Sequence, residues 1–89
     1  VYYQKGDLDR ALEHHQKALA IHEKIGNSLG QAQALENIGL VWGGKGDTVK
    51  ASQHFQRALA IYERMGAKLE IERAKRNIAW VEKLKAERK

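Results

Sequence analysis

The chain has 89 residues, 43% hydrophobic and 30% charged, with a net charge of +5 and neither cysteine nor proline. This balance fits one folded domain with a modest core rather than a disordered chain, and the lack of cysteine excludes disulfides and thiolate metal sites. No stretch approaches the ~20 continuous apolar residues of a membrane span and there is no secretory h-region, so a reducing, cytoplasmic setting is expected.

In chain order, residues 1–5 read as the last turn of a truncated first helix, and the chain is expected to be a piece of a longer array. Residues 7–26 read as a second helix. Leu8, Ala11, Leu12, His15, Ala18, Leu19, His22 and Ile25 recur along one face at i, i+3, i+4, i+7. Asp7 is its expected N-cap, because a carboxylate there accepts from free backbone N–H groups and suits the positive end of the helix dipole. Gly26, after Lys24-Ile25, is a suitable stop.

The next helix spans about 28–45 on Leu29, Ala32, Leu35, Ile38, Gly39 and Trp42. Its end, "GLVWGGKGDT" from Gly39 to Thr48, brings Gly39, Gly44 and Lys45 into the register of a phosphate loop, G-x-x-x-x-G-K-[ST]. Gly46 stands where that loop needs a hydroxyl for magnesium, and the stretch joins two helices instead of following a strand. Nucleotide binding is therefore not expected, and Lys45-Gly46-Asp47 reads as a turn and N-cap. The Gly43-Gly44 pair has no counterpart in neighbouring units and is expected to loosen the helix end. A further helix, 47–66, closes at Gly66, and a last one covers 68–88. Strand signals are absent.

These elements repeat. Residues 1–26 and 41–66 share thirteen identities at a shift of forty, among them Lys5, Gly6, Asp7, Ala11, His14, Ala18, Leu19, Ala20, Ile21 and Gly26. Residues 27–49 and 67–89 share six: Leu29, Ala34, Asn37, Ile38, Val41 and Lys45. The expected fold is all-α, an α-solenoid of antiparallel helix pairs forming one array over 1–89, about two repeats and a C-terminal helix. Such pairs bury their faces only by stacking.

Leu35-x2-Ile38-Gly39-x2-Trp42, Gly46-Asp47 and Ala51-x3-Phe55-x2-Ala58 resemble the signature of a tetratricopeptide repeat. The resemblance covers essentially the whole chain. It departs from the family in lacking the proline after the second helix and in a period of forty rather than about 34 residues. The longer period is similar to the subclass with extended helices found in polarity adaptors and prokaryotic signalling proteins. The resemblance implies a right-handed superhelix and a protein-binding module with no enzymatic activity and no cofactor. In the last helix, Lys75 replaces Leu35 and Glu82 replaces Trp42, as expected of a solvent-facing cap.

The chemistry-bearing residues support no catalytic or metal site. His14 and His54 are repeat-equivalent, whereas His15 and His22 stand where the second copy has Phe55 and Tyr62. The latter two lie about 10 Å apart along a helix, too far for one zinc ion, and read as substitutes for aromatics at helix contacts. No hydroxyl has a histidine and carboxylate at helical spacing.

The family resemblance places a recognition groove on the first helix of each pair, here Gln33, Glu36, Asn37 and Leu40, with Arg73, Arg76, Asn77, Trp80 and Lys83 from the last helix. Asn37 and Asn77 either hydrogen-bond a peptide backbone or bridge helices. Residues 73, 76, 77 and 80 share a helix face, so two guanidiniums and an indole either form a carboxylate-binding hot spot or a solvated face with Trp80 packed on its neighbour. From Lys68 onward eight basic residues face four acidic ones, which favours an acidic protein or peptide partner. Nucleic acid or an anionic membrane surface is the alternative, though a single aromatic makes the former unlikely. An uncovered strip of Ala11, Leu12, Ala18 and Leu19 adds the expectation of self-association.

Overall fold

A computed structural model describes residues 5–87 as four α-helices: α1 (Lys5–Ile25), α2 (Ser28–Gly44), α3 (Thr48–Met65) and α4 (Lys68–Glu87). Short connections fold each helix back on the one before, so α1 packs on α2, α2 on α3 and α3 on α4, and α2 also touches α4. Among the described residues there is no strand. The expected end of a preceding helix falls on residues 1–4, outside the described ones.

The stops are built alike. Gly26, Gly46 and Gly66 have φ of 71°, 87° and 68°. At the first such corner the Asn27 N–H donates to His22 O at 2.9 Å, and the next two repeat the pattern with Asp47 to Trp42 O and Ala67 to Tyr62 O. A side chain with a Cβ resists that left-handed conformation, which is why glycine holds these positions. Gly46 is thus the residue that closes α2. Asp47 then caps α3 by accepting from the Lys50 N–H at 3.0 Å, and Asn27 caps α2 by accepting from the Gly30 N–H at 3.0 Å. The first unit differs from the expected pattern. Lys5, Gly6 and Asp7 are already helical, so Asp7 lies in the first turn of α1 and is not its N-cap. The carbonyls that would receive a corner there belong to residues 1–4.

The fold centres on α2, whose three buried glycines each seat a ring from a different neighbour. His22 of α1 lies on Gly30, Phe55 of α3 on Gly39 and Trp80 of α4 on Gly43. A Cβ at Gly39 would stand 2.7 Å from the Phe55 ring, and one at Gly43 would stand 2.6 Å from the Trp80 ring. Gly43 therefore does not loosen the helix, as its sequence suggests; it is helical and buried because an indole occupies the space of a side chain. Around these seats two apolar clusters form. One joins Ala32, Leu35, Ala58, Ile61, Tyr62 and Ala74; the other joins Ala51, Phe55 and Val81, with Trp42 and Ile78 against it.

The seats predict a ranked response to alanine. Gly39→Ala forces a fully buried Phe55 ring to move and should cost about 1–3 kcal/mol by overpacking. Gly43→Ala meets a ring that is 38% exposed and can shift, so its loss should be smaller. Gly44→Ala, whose Cβ would lie 3.6 Å from Leu8, should lose nothing, since alanine is the better helix former. Urea unfolding of the three variants checks the order.

Candidate functional site

A pocket of about 420 Å³ opens between α2 and α4, lined by Gln33, Glu36, Asn37, Leu40, Arg73 and Asn77. Six of the nine residues expected in a groove therefore meet in one place. Trp80 instead leans on Gly43, and Arg76 and Lys83 are exposed beyond the pocket lining.

The floor of this pocket is Glu36, the single charged residue of α2 and 5% exposed. A carboxylate taken out of water must find partners, and this one finds three side chains from two other helices. Its Oε1 accepts from Tyr62 Oη at 3.1 Å and Arg73 Nη2 at 2.9 Å; its Oε2 accepts from Arg73 Nε at 2.8 Å and Asn77 Nδ2 at 3.0 Å. Arg73 Nη2 also lies 3.3 Å from Tyr62 Oη. The bond to Glu36 raises the Arg73 guanidinium further above its already high range. Burial first, and the Glu36 charge second, push the Tyr62 phenol up, so Tyr62 keeps its proton and stays a donor.

This network changes the roles read from the sequence. The two-pronged edge of Arg73, expected to be open to a carboxylate, is filled by Glu36. Asn77 bridges α4 to α2, whereas the side chain of Asn37 makes no hydrogen bond among the described residues. Tyr62, which the repeat marks only as an aromatic at a helix contact, is a member of the site. The signal for Glu36 lay in the sequence as a lone charge in an apolar helix. That for Tyr62 did not, because a hydroxyl's partner is set by packing.

A second pocket of about 380 Å³ lies between α1 and α2, lined by Leu8, Ala11, His15, Asn37, Leu40, Val41 and Gly44. Asn37 and Leu40 belong to both pockets, so the two form one continuous surface with an apolar half over α1 and a polar half toward α4. His15, a residue whose position in the repeat suggests only helix packing, is also a lining residue. Among the described residues no group of three or more His, Asp or Glu side chains gathers as a metal site would require, and no helix is long and apolar enough to cross a membrane.

The sequence profile of the tetratricopeptide repeat matches residues 1–64. Among solved structures, the solution NMR structure of the designed protein DA05 is similar, with a TM-score of 0.79 and 24% identity over 85% of this chain and 76% of that one. At this identity the likeness concerns the fold alone. No curated protein matches the chain.

The network predicts opposite behaviour for two neighbouring arginines. Arg73→Ala strands part of a buried carboxylate and should lower the unfolding free energy by about 1–3 kcal/mol, the cost of an unsatisfied charged acceptor that water partly reaches. Arg76→Ala touches no such partner and should stay within about 0.5 kcal/mol of the parent. Chemical denaturation of both variants measures the difference.

Proposed function

The chain belongs to the tetratricopeptide repeat family, a family of protein-interaction scaffolds that are typically non-catalytic, and from this we propose that its continuous surface over α1, α2 and α4 receives a peptide segment of a partner protein. The observation that carries this reading is the sharing of Asn37 and Leu40 by an apolar and a polar pocket. A segment lying across them would place an apolar side chain against Leu8, Ala11 and Val41. Its backbone would meet the amides of Gln33 and Asn37, which suit that use because an amide both donates and accepts.

We assign the acidic preference of the partner to Arg76 and Lys83 rather than to Arg73. Both are exposed and neither has a hydrogen-bond or ion-pair partner among the described residues, whereas the charge of Arg73 is already balanced. The setting proposed for this interaction is the cytoplasm.

A second reading, self-association through α1, is favoured by one comparison between the copies. Ala51 and Ala58 are fully buried, while their counterparts Ala11 and Ala18 are only half-buried, and Ile21 and Ile25 are 59% and 66% exposed. An apolar edge of this kind gains by being covered. Light scattering that gives a mass rising with concentration, and falling back in Ile21→Glu, is the expected result; a constant monomer mass removes this reading.

The groove is tested with peptides selected from a random library on the immobilised chain. Arg76→Glu and Lys83→Glu should each weaken the selected peptides about tenfold, or roughly 1.4 kcal/mol, with unfolding unchanged. Unaltered affinity in both variants rejects the assignment. Duplex DNA serves as the control, and retention that falls steeply with salt would move the binding to a polyanion on the basic face of α4.

A further inference from the structure

The two copies of the repeat differ at the contact that holds α1 on α2. In the second copy, Phe55 and Tyr62 are both 0% exposed and pack α3 into its neighbours. In the first copy the same positions are His15 and His22, so α1 meets α2 through two imidazoles in place of two six-membered rings. His15 lies in the apolar pocket with Leu8, Ala11, Leu40, Val41 and Gly44. His22 lies on Gly30, and its Nδ1 is buried with no hydrogen-bond partner among the described residues.

We propose that α1 is an acid-releasable helix: protonation of His15 in its apolar pocket detaches it from α2 while α2, α3 and α4 remain packed. A neutral imidazole can present a bare nitrogen to an apolar neighbour, but the protonated ring must donate from both nitrogens. His22, with its Nδ1 buried and unpartnered, adds no hydrogen bond that would hold α1 in place. At His15 a positive charge would enter a pocket whose one polar lining group besides His15 is the Asn37 amide.

Neither imidazole is hydrogen-bonded or ion-paired to a carboxylate among the described residues. The sole titratable side chain of α2 is Glu36, and both its oxygens are engaged by Tyr62, Arg73 and Asn77 on the far side of the helix. In the following turn, Lys45 is paired with Asp9. Arg57 and Arg64 of α3 line a groove with Leu19 and Glu23 of α1, so the carboxylate that adjoins His22 in the sequence shares its groove with two guanidiniums. On α1 itself, His14 adjoins His15, and Glu13 is exposed and paired with Lys17.

Burial, and after it the charge of His14, lower the His15 pKa from its ordinary value. The sign follows from linkage. A histidine whose folded pKa is depressed favours the neutral, folded form, so its contribution is complete above the unfolded value of about 6.5 and is lost as pH falls below it. The equivalent ring positions of the second copy have no such dependence, because Phe55 does not titrate and Tyr62 is protonated throughout this range.

Amide hydrogen exchange of the whole chain, followed residue by residue at pH 7.5 and pH 5 and corrected for intrinsic rates, reads the effect directly. Between the two conditions, protection in α1 should fall at least tenfold more than protection in α3. The substitutions His15→Phe with His22→Tyr, which copy the second repeat, should abolish that difference. His15→Gln with His22→Gln supplies a second non-titrating pair should the aromatic pair fail to fold, and His14→Gln should leave the response in place. Equal change in α1 and α3, no change in α1, an acid response that survives both non-titrating pairs, or its loss in His14→Gln would each overturn the proposal.

Discussion

A glycine inside a helix costs about 1 kcal/mol relative to alanine, and α2 carries three buried ones, at 30, 39 and 43. Such a helix persists only if packing returns more than the glycines lose. The return is a ring at each site: His22, Phe55 and Trp80, delivered by α1, α3 and α4 in turn. Close approach of the helices brings their flanking side chains into contact as well, and the two apolar clusters form on that basis. The rest of the fold depends on this arrangement, since α2 is the helix that touches all three others. A bulkier residue at any of the three positions would displace one whole neighbour, because the interior is too dense to absorb a ring elsewhere.

The same central helix bears the Glu36 carboxylate, and its satisfaction by Tyr62, Arg73 and Asn77 ties α3 and α4 to α2 in a fixed rotation. A hydrophobic seat sets how close two helices come; it is tolerant of small rotations. A carboxylate holding a bidentate guanidinium is not, because both N–H groups must aim at both oxygens. Shape at Gly43 and direction at Glu36 therefore act together on α4. The cost is functional. The arginine that fixes the register has no open edge of the same kind for a ligand, whereas Arg76 and Lys83 of α4 are exposed and unpaired among the described residues.

Much of this was legible in the sequence, and the rest was not for a definite reason. Helix periodicity and the Asp47 cap are local properties, carried by residues a few positions apart, and the glycine stops at 26, 46 and 66 are local too. Gly39 could be read as a close-approach residue because Phe55 stands at the family's spacing. Gly43 could not, because its partner Trp80 comes from another helix, and Gly43-Gly44 read locally suggests a weak end. Likewise Arg73 and Glu36, 37 residues apart, each look like exposed groove residues until folding places one against the other. The misread start of α1 has the opposite origin: Asp7 has a good capping side chain, but a cap needs the chain to leave the helix, and it does not do so there.

The divergence between the two copies also follows a physical gradient. The interface of α3 is enclosed by helices on two sides, and there the ring positions hold Phe55 and Tyr62, with the one polar atom hydrogen-bonded to Glu36. An imidazole is smaller than a six-membered ring and can leave one nitrogen without a proton, which lets His22 lie on Gly30 with no hydrogen-bond partner at Nδ1. The property that lets histidine fit there, a nitrogen that need not donate, is also what makes the contact of α1 with α2 sensitive to a proton.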